Sequence, residues 1–325
     1  ALLKSTTSTG VALRRMHNLK SQPREIQDYI KLSNISRNNL KNVSTKIPKQ
    51  AMTVVTGVAG SGKSSLIHEG LGQLQDTIFI DQKPVHASSR SNLLTYLNIF
   101  DEVRSYFSEE TGLKKSMFSY NSEGACPECH GKGILKTELA FMPDFTQTCD
   151  VCDGLRYKPE VLDAKIAGYS IADILALTVD EAIEFFHSKH NISTPLNALK
   201  STGLNYMTLG QTLNTLSGGE IQRVKLSKYL TRTVNHQTFV FDEPTTGLHE
   251  DDIPILLDCF NQLIDDNNTV VVIEHNLTMM THADWIIDIG PYAGGQGGQL
   301  LYEGKPKGLL DIKASVTAKH LLRYL

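Results

Sequence analysis

Gly57-Val58-Ala59-Gly60-Ser61-Gly62-Lys63-Ser64 stands directly after the short apolar run Met52–Thr56 and directly before a segment with helical spacing. A strand, a glycine-rich loop closing on Lys-Ser, and a helix together form the pattern of a phosphate-binding loop. Gly57, Gly60 and Gly62 leave backbone N–H groups free to wrap a β-phosphate, and the start of the following helix adds positive potential. Lys63 is expected to reach the β and γ oxygens, and the Ser64 hydroxyl to ligate Mg²⁺. Ser61 and Ser65 complete the set of loop residues placed against a bound nucleotide.

Outward from that loop, β-rich apolar runs recur at Thr77–Ile80, Thr238–Phe241, Thr269–Ile273, Trp285–Ile289 and Gln299–Tyr302. Several are continuous rather than alternating, as strands buried on both faces of a parallel sheet require. Helical patterns lie between them, so the core reads as α/β. The run Thr238-Phe239-Val240-Phe241-Asp242-Glu243 ends in two carboxylates, which puts acid on the sheet edge that carries the phosphate loop. Asp242 is expected in the Mg²⁺ shell, and Glu243 to polarise an attacking water. Leu216-Ser217-Gly218-Gly219-Glu220 has capping-box spacing from Ser217 to Glu220 and opens a helix through Ile221, Val224 and Leu230. Its two glycines leave amides open to an anion. Thr178 and Glu181 show the same spacing and read as the start of a scaffold helix.

The middle third, where the strand pattern lapses, holds Cys126-Pro127-Glu128-Cys129 and Cys149-Asp150-Val151-Cys152, with 19 residues between the pairs. Each pair is a turn able to present two thiolates to one ion, and four sulfurs suit a closed tetrahedral Zn²⁺ site with no open position for substrate. Gly131, Gly133 and Gly154 are expected to permit the tight knuckles. Redox dithiols or disulfides are the competing readings. Lys132, Lys136, Arg156 and Lys158 flank the knuckles, as a basic binding surface or a solvated one. The fifth cysteine, Cys259, sits in an apolar stretch and reads as a core thiol.

At 325 residues the chain predicts one large domain with an insertion, or two domains. With 40% hydrophobic and 21% charged residues and no membrane-length apolar run, a membrane subunit is excluded. A net charge of −3 means that nucleic-acid binding has to come from a local basic surface. Residues 1–26, Ser/Thr-rich with Arg14, Arg15, Lys20 and Arg24, read as the tail of a preceding half or a solvated connector in a chain cut from a longer one. The expected partition is residues 27–84 and 211–325 for the α/β core, with 85–210 inserted and a zinc module at 118–160.

This ordered set of motifs resembles the ATP-binding cassette superfamily, in which the signature helix of one module completes the nucleotide site of another. The resemblance implies ATP as the nucleotide and ATP hydrolysis. It implies Gln82, after Thr77–Ile80, as a sensor of Mg²⁺ and water and a magnesium ligand, and His275, after Thr269–Ile273, on the γ-phosphate. His249 would lie in the loop facing the partner module. A four-cysteine module between phosphate loop and signature helix narrows the likeness: over about residues 27–325 the chain is similar to the C-terminal ATPase half of the UvrA family, the damage-recognising subunit of the bacterial excinuclease. Asn39-Leu40-Lys41-Asn42, Ser91-Asn92, Phe118-Ser119, Leu209-Gly210-Gln211, Gly218–Leu226 and Ile289-Gly290-Pro291 carry the likeness further. The chain departs from the family in having one phosphate loop and one signature instead of two, a shorter Gly70–Asp76, His86-Ala87-Ser88-Ser89 in place of a more basic stretch, and Ala125 before the first cysteine.

The family implies a cytoplasmic, ATP-hydrolysing, DNA-binding protein of nucleotide excision repair that recognises damaged or distorted DNA and is not itself a nuclease. Its implied partners are DNA, a second cassette module (an N-terminal half or a second copy) and a UvrB-like protein, with no membrane. The departures also admit a UvrA-like ATPase giving resistance to DNA-binding drugs. The ATPase of a membrane transporter is a third reading, against which the zinc insertion weighs.

Overall fold

A computed structural model of the chain describes residue 7 and residues 18–83, 91–137, 145–232 and 234–325, with the side chains of Lys136, Thr137 and Phe145 left out. Arg14, Arg15 and His86-Ala87-Ser88-Ser89, all singled out above, lie outside the described residues. The strands are β1 (Tyr29–Ile35), β2 (Val43–Pro48), β3 (Met52–Thr56), β4 (Thr77–Ile80), β5 (Ile134–Thr137), β6 (Phe145–Thr148), β7 (Thr238–Asp242), β8 (Thr269–Ile273), β9 (Trp285–Gly290) and β10 (Gln299–Gly304). Two compact units form: one from residues 1–83 and 217–325, the other from residues 84–216.

The first unit is built on a six-stranded sheet in the order β10-β9-β3-β8-β7-β4. Every neighbouring pair is parallel except β10 with β9. The apolar runs are continuous because both faces are covered: β3, β8 and β9 are buried along their whole length. Alternate residues serve opposite faces. Val54, Val270, Val272 and Ile286 pack against Leu256, Leu257, Phe260 and Leu263 of the helix Ile253–Asp265, whose apolar residues recur at the helical period. Val55, Val271, Ile273 and Ile287 pack on the other face against Leu66, Ile67 and Leu71 of the helix Lys63–Leu71. Cys259 lies inside the first of these layers, where burial pushes its thiol up to about 12, so it is a core residue and not a reactive one.

Two features of this unit did not show in the apolar runs. β1 and β2 form an antiparallel pair that closes over the second layer through Leu32, Ile35, Val43 and Ile47. The pair is exposed on its outer side and broken by a bulge between Leu32 and Ile35, so its hydrophobic signal is diluted. Residues 18–26, expected as a solvated connector, are docked. Lys20 Nζ and the Arg24 amide both donate to Asp284, at 2.7 and 2.9 Å, and Leu19 packs on the core. Asp284 is fully buried, and its other oxygen accepts from the Met52 amide at 3.0 Å, so a single carboxylate ties the segment to the start of β3.

The second unit is helical around a small metal-site-like hairpin. The helix Phe100–Thr111 buries Phe100, Val103 and Phe107, the last 5.2 Å from the Phe118 ring. The Thr178 and Glu181 spacing makes the capping box it predicts, opening the helix Val179–Phe185. Between the cysteine pairs β5 and β6 run antiparallel, with Ile134 opposite Thr148.

Candidate functional site

The parallel order of the sheet sets the geometry of the first site. β3, β8, β7 and β4 are consecutive neighbours, so the loops leaving their C-terminal ends stand in a row. They carry, in that order, the phosphate loop, His275, Asp242 with Glu243, and Gln82. Residues spread over Gly57 to His275 are thereby brought to one edge.

Gly62 caps the helix Lys63–Leu71 with φ +110°, a conformation that L side chains rarely adopt. The loop is braced from outside: Asn39 Nδ2 donates to the carbonyls of Gly60 and Gly294, both at 3.2 Å, and the Gly298 amide donates to the Ser61 carbonyl at 3.1 Å. Asn38 Nδ2 donates to Ser65 Oγ at 2.8 Å. The buried Ser61 Oγ has no partner among the described residues, a polar atom facing a cradle that an anion's oxygens would satisfy. Lys63 is buried and its ammonium donates to the carbonyls of Gly57 and Val58, both at 3.1 Å. Burial holds Lys63 below the usual lysine range, against the opposing pull of Glu243, Asp242, Asp288 and Glu274.

Burial, then the neighbouring Glu243, raises Asp242, the arrangement of an acid whose charge awaits a cation. Glu243 has φ +47°, and its Oε1 lies 3.6 Å from His275 Nε2. Burial, and then Lys63, lowers His275, which favours a neutral imidazole. Gln82 Nε2 donates to the Glu243 carbonyl at 3.2 Å, and its Oε1 faces Gly218.

Ser217 caps the helix Gly218–Leu230. Its amide and hydroxyl donate to Glu220 Oε2 at 2.7 and 2.9 Å, and the Glu220 amide donates back to Ser217 Oγ at 3.3 Å. A Cβ on Gly219 would stand 2.6 Å from the Thr246 carbonyl, so only glycine lets this helix start lie against the loop after β7. His249 stands at the N-terminus of the short turn Glu250–Asp252, where its Nδ1 accepts from the Asp251 amide at 3.3 Å.

Three residues around this edge were not predicted as part of it. Gln222 Nε2 donates to the carbonyls of Ile80 and Asp242, at 3.1 and 2.7 Å. Lys225 Nζ donates to Asp81 Oδ1 at 2.7 Å and to the carbonyls of Asp81 and Lys83, both at 3.0 Å. The signature helix is thus fastened to the ends of β4 and β7. The third is Glu274, buried between the loops after β7 and β8. In sequence each is an ordinary polar residue on a helix or after a strand; an acid closing the wholly apolar run Thr269–Ile273 was the one available signal.

The second site is local. Cys126, Cys129, Cys149 and Cys152 are buried, with all four sulfurs within 4.8 Å of one another. Cys126 and Cys149 Sγ are 3.9 Å apart, and Cys129 and Cys152 Sγ 3.7 Å. Sulfurs about 2.3 Å from a tetrahedral zinc lie about 3.8 Å apart, whereas a disulfide needs about 2 Å, so the set fits an ion and not cross-links. Gly131, Gly133 and Gly154 take φ of +75°, +77° and +80° in the knuckles. The Gly133 amide donates to Cys129 Sγ at 3.2 Å. Burial pushes the Cys152 thiol up to about 12, which a coordinated cation would reverse. Of the flanking cations, Lys132 is exposed, Arg156 lies over the Tyr120 ring at 5.3 Å, and Lys158 is 4.0 Å from Glu160.

The ABC transporter family model matches residues 40–246. The UvrABC system protein A of Staphylococcus aureus (strain COL) is 44% identical over 319 residues, 89% of this chain and 34% of that protein. That of Staphylococcus epidermidis (strain RP62A) is 41% identical over 350 residues, 98% of this chain and 37% of that protein. The crystal structure of UvrA2 from Deinococcus radiodurans matches with a TM-score of 0.89 at 39% identity, covering 98% of this chain and 42% of that one. The chain thus spans about a third of the length of the relatives it matches. No helix among the described residues is long and apolar enough to cross a membrane. The chain belongs to the ATP-binding cassette family, as a cassette half of the UvrA type.

Proposed function

We propose that the chain is the ATP-hydrolysing C-terminal cassette of a cytoplasmic UvrA-like protein that binds DNA and recognises damaged or distorted duplex in nucleotide excision repair. The observation that carries this reading is the four-sulfur cluster inserted between phosphate loop and signature helix, which weighs against the ATPase of a membrane transporter. In it residues 27–84 and 211–325 form the cassette and 85–210 the inserted signature region. Gly57, Gly60, Ser61, Gly62, Lys63, Ser64 and Ser65 hold the nucleotide's phosphates, with Ser64, Gln82 and Asp242 around Mg²⁺. Glu243 takes the proton of the attacking water and His275 contacts the γ-phosphate. Ser217, Gly218, Gly219 and Glu220 close over the nucleotide of a second cassette, an N-terminal half or a second copy. The four cysteines hold a structural zinc, and Lys132, Lys136, Arg156 and Lys158 contact DNA phosphates beside it. A UvrB-like protein receives the marked DNA.

The test is binding of this chain, with ATP, to a duplex carrying one bulky lesion and to the same duplex undamaged. Tighter binding to the lesion by about tenfold, about 1.4 kcal/mol, is expected, with affinity for both falling steeply as salt rises. Absence of binding to either duplex, with zinc and ATP both bound, would overturn the reading.

A further inference from the structure

Glu243 holds an unusual backbone conformation for a non-glycine residue, φ +47°, which costs about 1 kcal/mol or more and persists only where the surroundings impose it. Its surroundings converge on Glu274. This side chain is 3% exposed, and each of its oxygens serves a different loop. Oε1 accepts from the Thr245 amide at 3.0 Å and from the Thr245 hydroxyl. Oε2 accepts from the amides of His275 and Asn276, at 2.6 and 3.0 Å. Its own amide donates to the Val55 carbonyl at 3.0 Å, one residue from the end of the strand that feeds the phosphate loop. All four groups meet the two oxygens of a single side chain, which therefore bridges both loops.

We infer that Glu274 is a positioning residue for ATP hydrolysis: its carboxylate clamps the loop bearing Glu243 to the loop bearing His275 and sets the 3.6 Å approach of these two side chains. The inference rests on the roles proposed for Glu243 and His275. The clamp is short on both arms, since Thr245 is two residues from Glu243 and the other arm ends on the His275 amide itself. Other ties are present but differ in kind: the Glu243 amide donates to the Ile273 carbonyl at 2.9 Å, its carbonyl accepts from Gln82 and the Thr246 amide, and the less buried Glu250 accepts from Asn276 and Thr278, whereas Glu274 alone of these carboxylates bonds the His275 amide. A glutamine at 274 keeps the shape but offers one acceptor oxygen, and its NH₂ would confront the amides of one loop.

The experiment measures ATP turnover and ATP affinity of the full chain for Glu274→Gln, Thr245→Val, the double variant and Glu243→Gln. Expected for Glu274→Gln is a fall in kcat of about 100-fold with KM and ATP affinity within about threefold, since misplacement acts on the transition state and not on phosphate binding. Thr245→Val, which keeps the amide arm and is milder for folding, is expected to lose about threefold to tenfold in kcat. The double variant should be no slower than Glu274→Gln, because the Thr245 hydroxyl acts only through that carboxylate. Wild-type kcat in Glu274→Gln, or losses that multiply in the double variant, overturns the inference. If Glu274→Gln does not fold, wild-type kcat in Thr245→Val overturns it. Wild-type turnover in Glu243→Gln removes the underlying reading, whereas an inactive Glu243→Gln beside a fully active Glu274→Gln removes this inference alone.

Discussion

The chain holds two candidate ligand sites made in opposite ways. The four-sulfur centre draws its ligands from 27 consecutive residues, Cys126 to Cys152, and needs only two knuckles and one hairpin to close. The phosphate site draws on Gly57 through His275 and exists only because four strands far apart in sequence lie side by side. Among the described residues, the apolar cluster of the local centre is the four cysteines with Leu135 packed against them. The phosphate site rests on two extensive apolar layers, one on each face of the sheet. The difference teaches that the first should depend on its ion for structure and the second should not.

The largest expected effect would break the comparison outright. Cys149→Ser with Cys152→Ser should abolish metal binding, from one zinc per chain to none by elemental analysis, since a structural zinc contributes on the order of 10 kcal/mol locally. ATP affinity should stay within about threefold. A comparable loss of ATP binding would mean that the two sites fold as one.

Within the phosphate site the next effect is in rate. Glu243→Gln should lower kcat by about 10²–10⁴-fold while ATP still binds. Lys63→Ala should instead weaken ATP binding by about 10²-fold, the cost of losing a charge-assisted contact to phosphate. Equilibrium binding and single-turnover hydrolysis separate the two. If both variants lose only affinity, Glu243 is not the catalytic carboxylate.

The smallest effect concerns two capping boxes of nearly the same geometry. Thr178 donates to Glu181 at 2.8 Å and Ser217 to Glu220 at 2.9 Å, each with a return bond of 3.3 Å. Thr178→Ala and Ser217→Ala should each cost about 1 kcal/mol in denaturant melts. Only Ser217→Ala should also slow ATP turnover, because only that helix start is proposed to face a nucleotide. Equal turnover in the two variants would place Ser217 with Thr178 as scaffold.

Much of this could be read before any coordinates. All six strands of the main sheet stood out as apolar runs, most plainly β3, β8 and β9, because strands covered on both faces leave no polar interruption. The paired cysteines announced a cluster of four sulfurs with the geometry to hold a metal ion, because thiolates and knuckle glycines at that spacing have few other uses. β1 and β2 escaped, since their outward residues are polar and a bulge breaks the alternation. Lys20 and Arg24 looked like solvated charges of a connector because nothing in sequence points to a partner 260 or more positions away.

What the order of residues decides here is therefore everything held by neighbours in the chain: the capping boxes, the glycine-rich loop, the knuckles and the identity of the groups at each strand end. What it leaves to tertiary structure is the pairing of those ends. Glu274 is the clearest case. An acid after an apolar strand is commonplace, and its four hydrogen bonds arise only because β7 and β8 are laid side by side with their following loops within reach of one buried carboxylate. Burial then forces the bonding to be complete, since a carboxylate out of water with an unsatisfied oxygen would cost more than the loops gain by any other arrangement.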